Sequence, residues 1–269
     1  MDDRPIGVFD SGLGGLTTVK KLAEFLPGED IIYLGDTGRA PYGPRSRETI
    51  IKYALQDAAF LAGFDIKAMV VACNTVCSVA FEDLNETYQM PLYEVVSAPS
   101  KAAVSNTRNG MIGVIGTAAT IRSGAYEAAV KKIAPRMHVI SMACPLFVPL
   151  AENGRTDPDD IATLTIAGDY LSGFRESGID TLIMGCTHYP LLRDVIAKIM
   201  GPGVLLVDSG TETAGLTSED IKERNILSGK KAAGSVRYYV TDGCENFARL
   251  ASKFLGTDVR GMVGQVELE

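Results

Sequence analysis

The chain is poor in histidine. Only His138 and His188 occur in 269 residues, and neither is clustered with further cysteines. A zinc site needs about four ligands, or three with an open position, so no metal site is expected. The five cysteines form no disulfide framework: the count is odd and the spacings are irregular, and thiols of this kind stay reduced in the cytosol. There is no Cys-x-x-Cys redox pair, and Cys73 and Cys77, four apart, could be mistaken for a metal pair but are too few for a zinc site. A basic segment leading into an apolar one, the mark of a secretory signal, is missing. No apolar run approaches the roughly 20 residues of a membrane helix. Basic residues are outnumbered, 26 against 33, which leaves a net charge of −7. Nucleic acid is therefore not an expected partner, because phosphate binding needs clustered Lys and Arg. A local pocket for an anionic metabolite is compatible with that charge. The expected location is the cytoplasm.

What is present describes a globular protein of one or two domains, 46% apolar and 22% charged. Short apolar runs alternate with helical patterns. Strands are expected at Ile6–Phe9, Ile31–Leu34, Ala68–Ala72, Met111–Ile115, His138–Met142, Thr181–Met184 and Val204–Val207. Helices are expected at Gly15–Phe25, Glu48–Gly63, Ser123–Ile133 and Asp159–Ser177. Continuous apolar strands between helices indicate parallel sheets covered on both faces. Ile6-Gly7-Val8-Phe9-Asp10-Ser11 is echoed by Ile112-Gly113-Val114-Ile115-Gly116-Thr117. Ala68-Met69-Val70-Val71-Ala72-Cys73-Asn74-Thr75 is echoed by Thr181-Leu182-Ile183-Met184-Gly185-Cys186-Thr187-His188. One such echo is what chance gives between buried strands. Two in the same order favour a duplicated α/β unit of about a hundred residues, with one strand-end cysteine in each half. Facing halves would bring Cys73 and Cys186 together across a cleft.

In open α/β sheets, ligands bind beyond the carboxyl ends of strands. Asp10, Ser11, Asp36, Cys73, Asn74, Thr75, Thr117, Cys186, Thr187 and His188 all fall there. Cys73 and Cys186 each precede a helix start, where the helix dipole and free N–H groups favour a thiolate. His188 is placed to tune Cys186 or take its proton. Cys77, Cys144 and Cys244 are read as structural, as is His138. The turn Asp10-Ser11-Gly12-Leu13-Gly14-Gly15 is a candidate anion cradle. It is neither a full G-x-G-x-x-G nor a Walker loop. Asp10 suits an ammonium group, or assistance to a base, better than an anion. Gly35–Gly43 reads as a rigid loop that closes a site. Asn74, Thr75 and Thr187 offer an amide and hydroxyls to a small zwitterion, although Thr75 serves equally well as a helix cap. Glu152 lies in a polar loop, where solvent exposure is the default.

These residues resemble those of the glutamate racemases, in the aspartate/glutamate racemase superfamily. The likeness spans nearly the whole chain. It includes Val8-Phe9-Asp10-Ser11-Gly12-Leu13-Gly14-Gly15, Asp36-Thr37-Gly38-Arg39-Ala40-Pro41-Tyr42-Gly43, Cys73-Asn74-Thr75, Cys144-Pro145-Leu146-Phe147-Val148-Pro149-Leu150, Gly185-Cys186-Thr187-His188-Tyr189-Pro190-Leu191-Leu192 and Val207-Asp208-Ser209. The resemblance implies two similar parallel-sheet α/β domains related by a pseudo-twofold axis, with the active site in the cleft between them. Residues 1–97 and 208–269 would form one domain and 98–207 the other. It implies no cofactor, a homodimer, glutamate as substrate, and D-glutamate supply for peptidoglycan. By the same likeness Cys73 and Cys186 are the acid/base thiols. Asp10, His188 and Glu152 assist them, and Ser11, Pro41, Tyr42, Gly43, Asn74, Thr75, Thr117 and Thr187 join Asp10 and His188 around the substrate. Cys186 would take the proton from L-glutamate while Cys73 supplies one, with the roles reversed for D-glutamate.

Other readings are an aspartate or hydantoin racemase of the same superfamily, a pyridoxal-phosphate racemase, and a metabolite-binding protein without catalysis. His188 after Thr187 leans toward glutamate. The paired cysteines would lack a purpose in the last two.

Overall fold

The computed structural model describes residues 1–268. The first stretch of chain runs β1 (Ile6–Asp10), α1 (Leu16–Phe25), β2 (Ile31–Gly35), α2 (Arg47–Ala62), β3 (Ala68–Val71), α3 (Asn74–Thr87), β4 (Leu92–Glu94) and α4 (Ser97–Asn106). The second runs β5 (Met111–Gly116), α5 (Ala118–Ser123), α6 (Ala125–Ile133), β6 (His138–Ala143), α7 (Phe147–Glu152), α8 (Ile161–Ser177), β7 (Thr181–Gly185), a short 3-10 turn (Tyr189–Leu192), α9 (Arg193–Met200) and β8 (Leu205–Asp208). The chain closes with α10 (Ser209–Glu223), β9 (Val236–Val240), α11 (Cys244–Leu255) and β10 (Val263–Gln265).

Two parallel sheets result. The first has the order β10-β9-β2-β1-β3-β4 and the second β6-β5-β7-β8. The second repeats the β2-β1-β3-β4 run of the first. The repeat extends to register: Ile6 lies opposite Ala68, and its echo Ile112 lies opposite Thr181. The two sequence echoes are thus equivalent strand pairs of equivalent sheets.

The apolar runs have the cause expected of them. Along β1, Ile6 and Val8 pack with α1 and α11 on one face, while Phe9 packs with α2 and α3 on the other. A strand buried on both sides needs apolar residues at every position. The cluster around Phe9 also takes in Ile112, Val114, Tyr126 and Ile183 from the second half, so the core continues across the seam. A third cluster joins Leu182 and Met184 of β7 to Phe147 and Phe174. The helix expected over Ser123–Ile133 is found as α6, starting after Gly124, which has φ 67° and ends the preceding α5 in the left-handed conformation that glycine tolerates. Among the described residues, no helix is long and apolar enough to cross a membrane.

Candidate active site

The site lies where the carboxyl ends of β1, β3, β5 and β7 face one another. Cys73 occupies the position before α3, and Cys186 follows β7 directly, ahead of the turn that Pro190 helps start. Both thiols are buried and line one cavity. Ser11, Pro41, Tyr42, Gly43, Asn74 and Thr75 line it from the first half. Thr117, Glu152, Thr187 and His188 line it from the second. Gly12, Ala40 and Val148 complete the wall. Sequence reasoning had not singled these three out for the site, although each sits inside a motif quoted above.

Two contacts stitch the halves together around this cavity. Thr75 Oγ1 and Thr117 Oγ1 share a hydrogen bond of 2.9 Å, and Thr187 Oγ1 donates to Asp10 Oδ1 at 3.4 Å. In each, the loop after one half's third strand reaches the end of the other half's first strand. The enclosed volume is ≈ 30 Å³, room for about two waters. It shares Gly12, Ala40, Pro41, Gly43, Thr117, Val148 and Glu152 with an outer cleft of ≈ 890 Å³.

The thiols stand in unlike settings. Cys73 Sγ donates to Ser11 Oγ at 3.5 Å. Burial, and then the nearby Asp10, push its pKa up to about 12. The ease of ionisation expected from the helix start is not met at Cys73: desolvation outweighs what the N–H groups of Val76 and Ser11 contribute. Cys186 Sγ lies 4.0 Å from His188 Nδ1, and His188 Nε2 lies 3.1 Å from Glu152 Oε1. Burial alone would depress the imidazole pKa. Its hydrogen bonds to Cys186 and Glu152 outweigh that and raise it to about 10. Glu152 ends α7 rather than sitting in a loop, and its side chain is 42% exposed. One edge of it is wet while the other backs the histidine.

Asp10 does not line the cavity. It is fully buried behind Ser11, with burial raising its pKa and the charge of His188 countering. Its Oδ2 accepts the Gly12 N–H at 3.1 Å, and Tyr33 donates to the Gly12 carbonyl at 2.6 Å. The Gly12 N–H and carbonyl are therefore both satisfied within the first half. Asn74 is also held from behind. Its Nδ2 donates to Ser209 Oγ at 3.2 Å, and the Tyr126 hydroxyl lies 2.5 Å from its Oδ1. Tyr42 turns its hydroxyl away from the thiols, toward Asp36 and Asp57. His138 is exposed at the start of β6 and takes no part. Among the described residues, no group of three or more His, Cys, Asp or Glu side chains is arranged to hold a metal ion.

Comparison with known proteins agrees with this geometry. Residues 6–217 match the family model described as Asp/Glu/Hydantoin racemase. A glutamate racemase from Geobacter metallireducens is 49% identical over 99% of this chain and 97% of its own. The crystal structure of glutamate racemase isoform RacE1 from Bacillus anthracis superposes with a TM-score of 0.95 at 36% identity, covering 100% of this chain and 99% of that one. Glutamate racemase from Francisella tularensis, solved in complex with D-glutamate, superposes with a TM-score of 0.92 at 39% identity and the same coverage. The chain belongs to the Asp/Glu/hydantoin racemase family of amino-acid isomerases, and within it to the glutamate racemases.

Proposed function

We propose that this enzyme interconverts L- and D-glutamate without a cofactor, using Cys73 and Cys186 on opposite faces of the substrate's Cα. The reading rests on one observation: the two cysteines follow equivalent strands of the two sheets and line the same cavity. A single base mostly returns a proton to the face it came from, whereas two opposed groups invert the centre. The unlike settings favour a resting division of labour. Cys73 stays a thiol, and Cys186 stands beside the protonated His188, with Glu152 behind it. Cys186 then takes the α-proton of L-glutamate while Cys73 gives one from the other side. For D-glutamate the roles reverse. Asp10 acts at one remove, through its charge near His188 and its contact with Thr187.

The Cα–H is far less acidic than a thiol, whose ordinary pKa is about 8.5. The site must therefore stabilise the carbanionic transition state. Strand-end N–H groups with Asn74, Thr75 and Thr117 bind the substrate carboxylate in this scheme, and the 36–43 loop excludes water. Ser11, Thr187 and the Pro41–Gly43 segment complete the substrate's surroundings. Residues 1–97 with 208–269, and 98–207, are the two domains that part to admit it. The product serves peptidoglycan synthesis in the cytoplasm, and the enzyme acts as a homodimer. Racemisation followed by circular dichroism tests the reading, with glutamate and aspartate as substrates. Glutamate should turn over, and Cys73→Ala and Cys186→Ala should each abolish it. Full activity in either variant, or preference for aspartate, overturns the proposal.

A further inference from the structure

We propose that Asp57 is a positioning residue for this reaction: a buried, protonated carboxylic acid that holds the Pro41–Gly43 segment in place through the Tyr42 hydroxyl. The proposal rests on the cavity being the racemase site. Its evidence is a side-chain cluster behind the cavity wall, of which Tyr42 alone also lines the cavity. Asp36, at the end of β2, and Asp57, in the middle of α2, are both fully buried. A single guanidinium faces the two carboxyls. Arg39 Nε donates to Asp36 Oδ2 at 2.6 Å, its Nη2 donates to Asp57 Oδ1 at 2.8 Å, and its Nη1 donates to Gln56 Oε1 at 2.6 Å. The Tyr42 hydroxyl contacts Asp36 Oδ2 and lies 2.9 Å from Asp57 Oδ2.

Hydrogen-bond valence decides where the protons are. A phenol has one hydrogen, and an ionised carboxylate can only accept. Tyr42 therefore donates to one carboxyl, and the other must donate to Tyr42. Asp36 accepts from Arg39 Nε and, at Oδ1, from the Thr241 hydroxyl at 2.8 Å. It is the ionised member, and Tyr42 donates to it. Asp57 Oδ2 has Tyr42 as its only hydrogen-bond partner among the described residues, so it carries the remaining proton and donates. The cluster is then neutral, with one cation, one anion, one acid and one phenol, as a buried set must nearly be. Burial first, and then the nearby carboxylates of Asp36 and Asp10, favour the acid form of Asp57 and outweigh the opposing effects of Arg39 and the Tyr42 hydrogen bond.

The consequence reaches the cavity through the backbone. Tyr42 is buried, its ring packed 5.4 Å from that of Tyr53, and the residues flanking it, Pro41 and Gly43, line the inner cavity and the outer cleft alike. Gly43 stands close against Thr117: a Cβ there would meet the Thr117 Cβ at 3.1 Å. Fixing the Tyr42 hydroxyl fixes this segment against the opposite half.

Infrared spectroscopy of the substrate-free enzyme at neutral pH reads the proton directly. A protonated-carboxyl carbonyl band should be present in the wild type and absent in Asp57→Asn. This readout needs no turnover, so it separates the fate of this proposal from that of the two-thiol mechanism. Asparagine reproduces the acid's donor and acceptor, so Asp57→Asn should keep kcat/KM within about 3-fold, whereas Asp57→Ala should raise KM about 10-fold or more with a smaller change in kcat. Tyr42→Phe should resemble Asp57→Ala. If no band is lost in Asp57→Asn, or if Asp57→Asn is as impaired as Asp57→Ala, the proposal is wrong.

Discussion

Gly14, in the turn after β1, packs directly on the segment that carries Cys186. A Cβ on Gly14 would stand 2.7 Å from His188 Nδ1 and 2.8 Å from the Thr187 Cβ, and closer still to Thr187 Oγ1. The obstacle is a pair of buried side chains from the other half, so neither can swing into solvent. Gly14→Ala should push the two halves apart at the reacting groups. Misplacement on the order of 1 Å costs about 100-fold in rate, and kcat/KM from a racemisation assay should fall by about that factor while the fold survives in a thermal melt.

His188 links activity to pH. Its pKa in the folded chain is about 10, above the ordinary value of 6.5. The stabilisation this proton brings is complete below pH 6.5 and is lost as pH rises through about 10. Glu152→Gln removes one of the two hydrogen-bond partners that hold the proton. The alkaline limb of kcat/KM, and the imidazole titration followed by NMR, should both move down by about one pH unit, at the low end for a charge partner because the Glu152 side chain is partly exposed and screened.

Tyr126 reaches from α6 to the residue beside Cys73. Its hydroxyl lies 2.5 Å from Asn74 Oδ1 and 2.8 Å from the Val95 carbonyl. The phenol has one hydrogen for these two acceptors, so Tyr126→Phe strands one of them in a buried setting, which costs about 1–3 kcal/mol. Chemical denaturation should register that loss. Asn74 is then held only through its Nδ2 bond to Ser209, and under the proposed mechanism kcat should fall more than KM rises.

Much of this site was legible in the residues because duplication left a trace. The echo of Ile6–Ser11 in Ile112–Thr117, and of Ala68–Thr75 in Thr181–His188, correctly marks strands that share order and register in the two sheets. It also singles out the two cysteines that line one cavity. Other features leave no such trace. β4 and β10 have three residues each, too few to show a period of two. α7 has six, so Glu152 reads as loop, and its contact with His188 joins residues 36 apart in sequence. Asp57 lies inside a helical stretch with nothing local to distinguish it from a solvated acid. Its partners Asp36, Arg39 and Tyr42 arrive only when β2 and α2 pack. Tyr42 itself sits in a motif that points to the substrate, yet its hydroxyl points the other way.

Lys67 and Glu29 form an ion pair of 2.5 Å in which neither side chain is appreciably exposed. Lys67 Nζ also donates to the carbonyls of Asp2 and Ile226, at 2.7 and 2.8 Å, and Glu29 Oε1 accepts the Ser228 N–H at 2.7 Å. The pair thereby ties the start of the chain and the segment before β9 to the first sheet. Removing one partner of a buried pair strands the other charge at a cost of about 3–5 kcal/mol. Glu29→Gln should lower unfolding free energy in urea by an amount near the bottom of that range. The kcat of the remaining folded enzyme at 25 °C should be unchanged, because neither residue lines the cavity.

Deuterium incorporation decides between one base and two. Wild-type enzyme is given L-glutamate in deuterated water, and the reaction is sampled at low conversion. With Cys186 removing the α-proton and Cys73 supplying another from solvent-exchanged thiol, the D-glutamate formed should carry deuterium at Cα while the recovered L-glutamate keeps its protium. D-glutamate as starting material should give the mirror result. Product that retains the original protium, or substrate that exchanges faster than it inverts, would contradict the two-thiol mechanism.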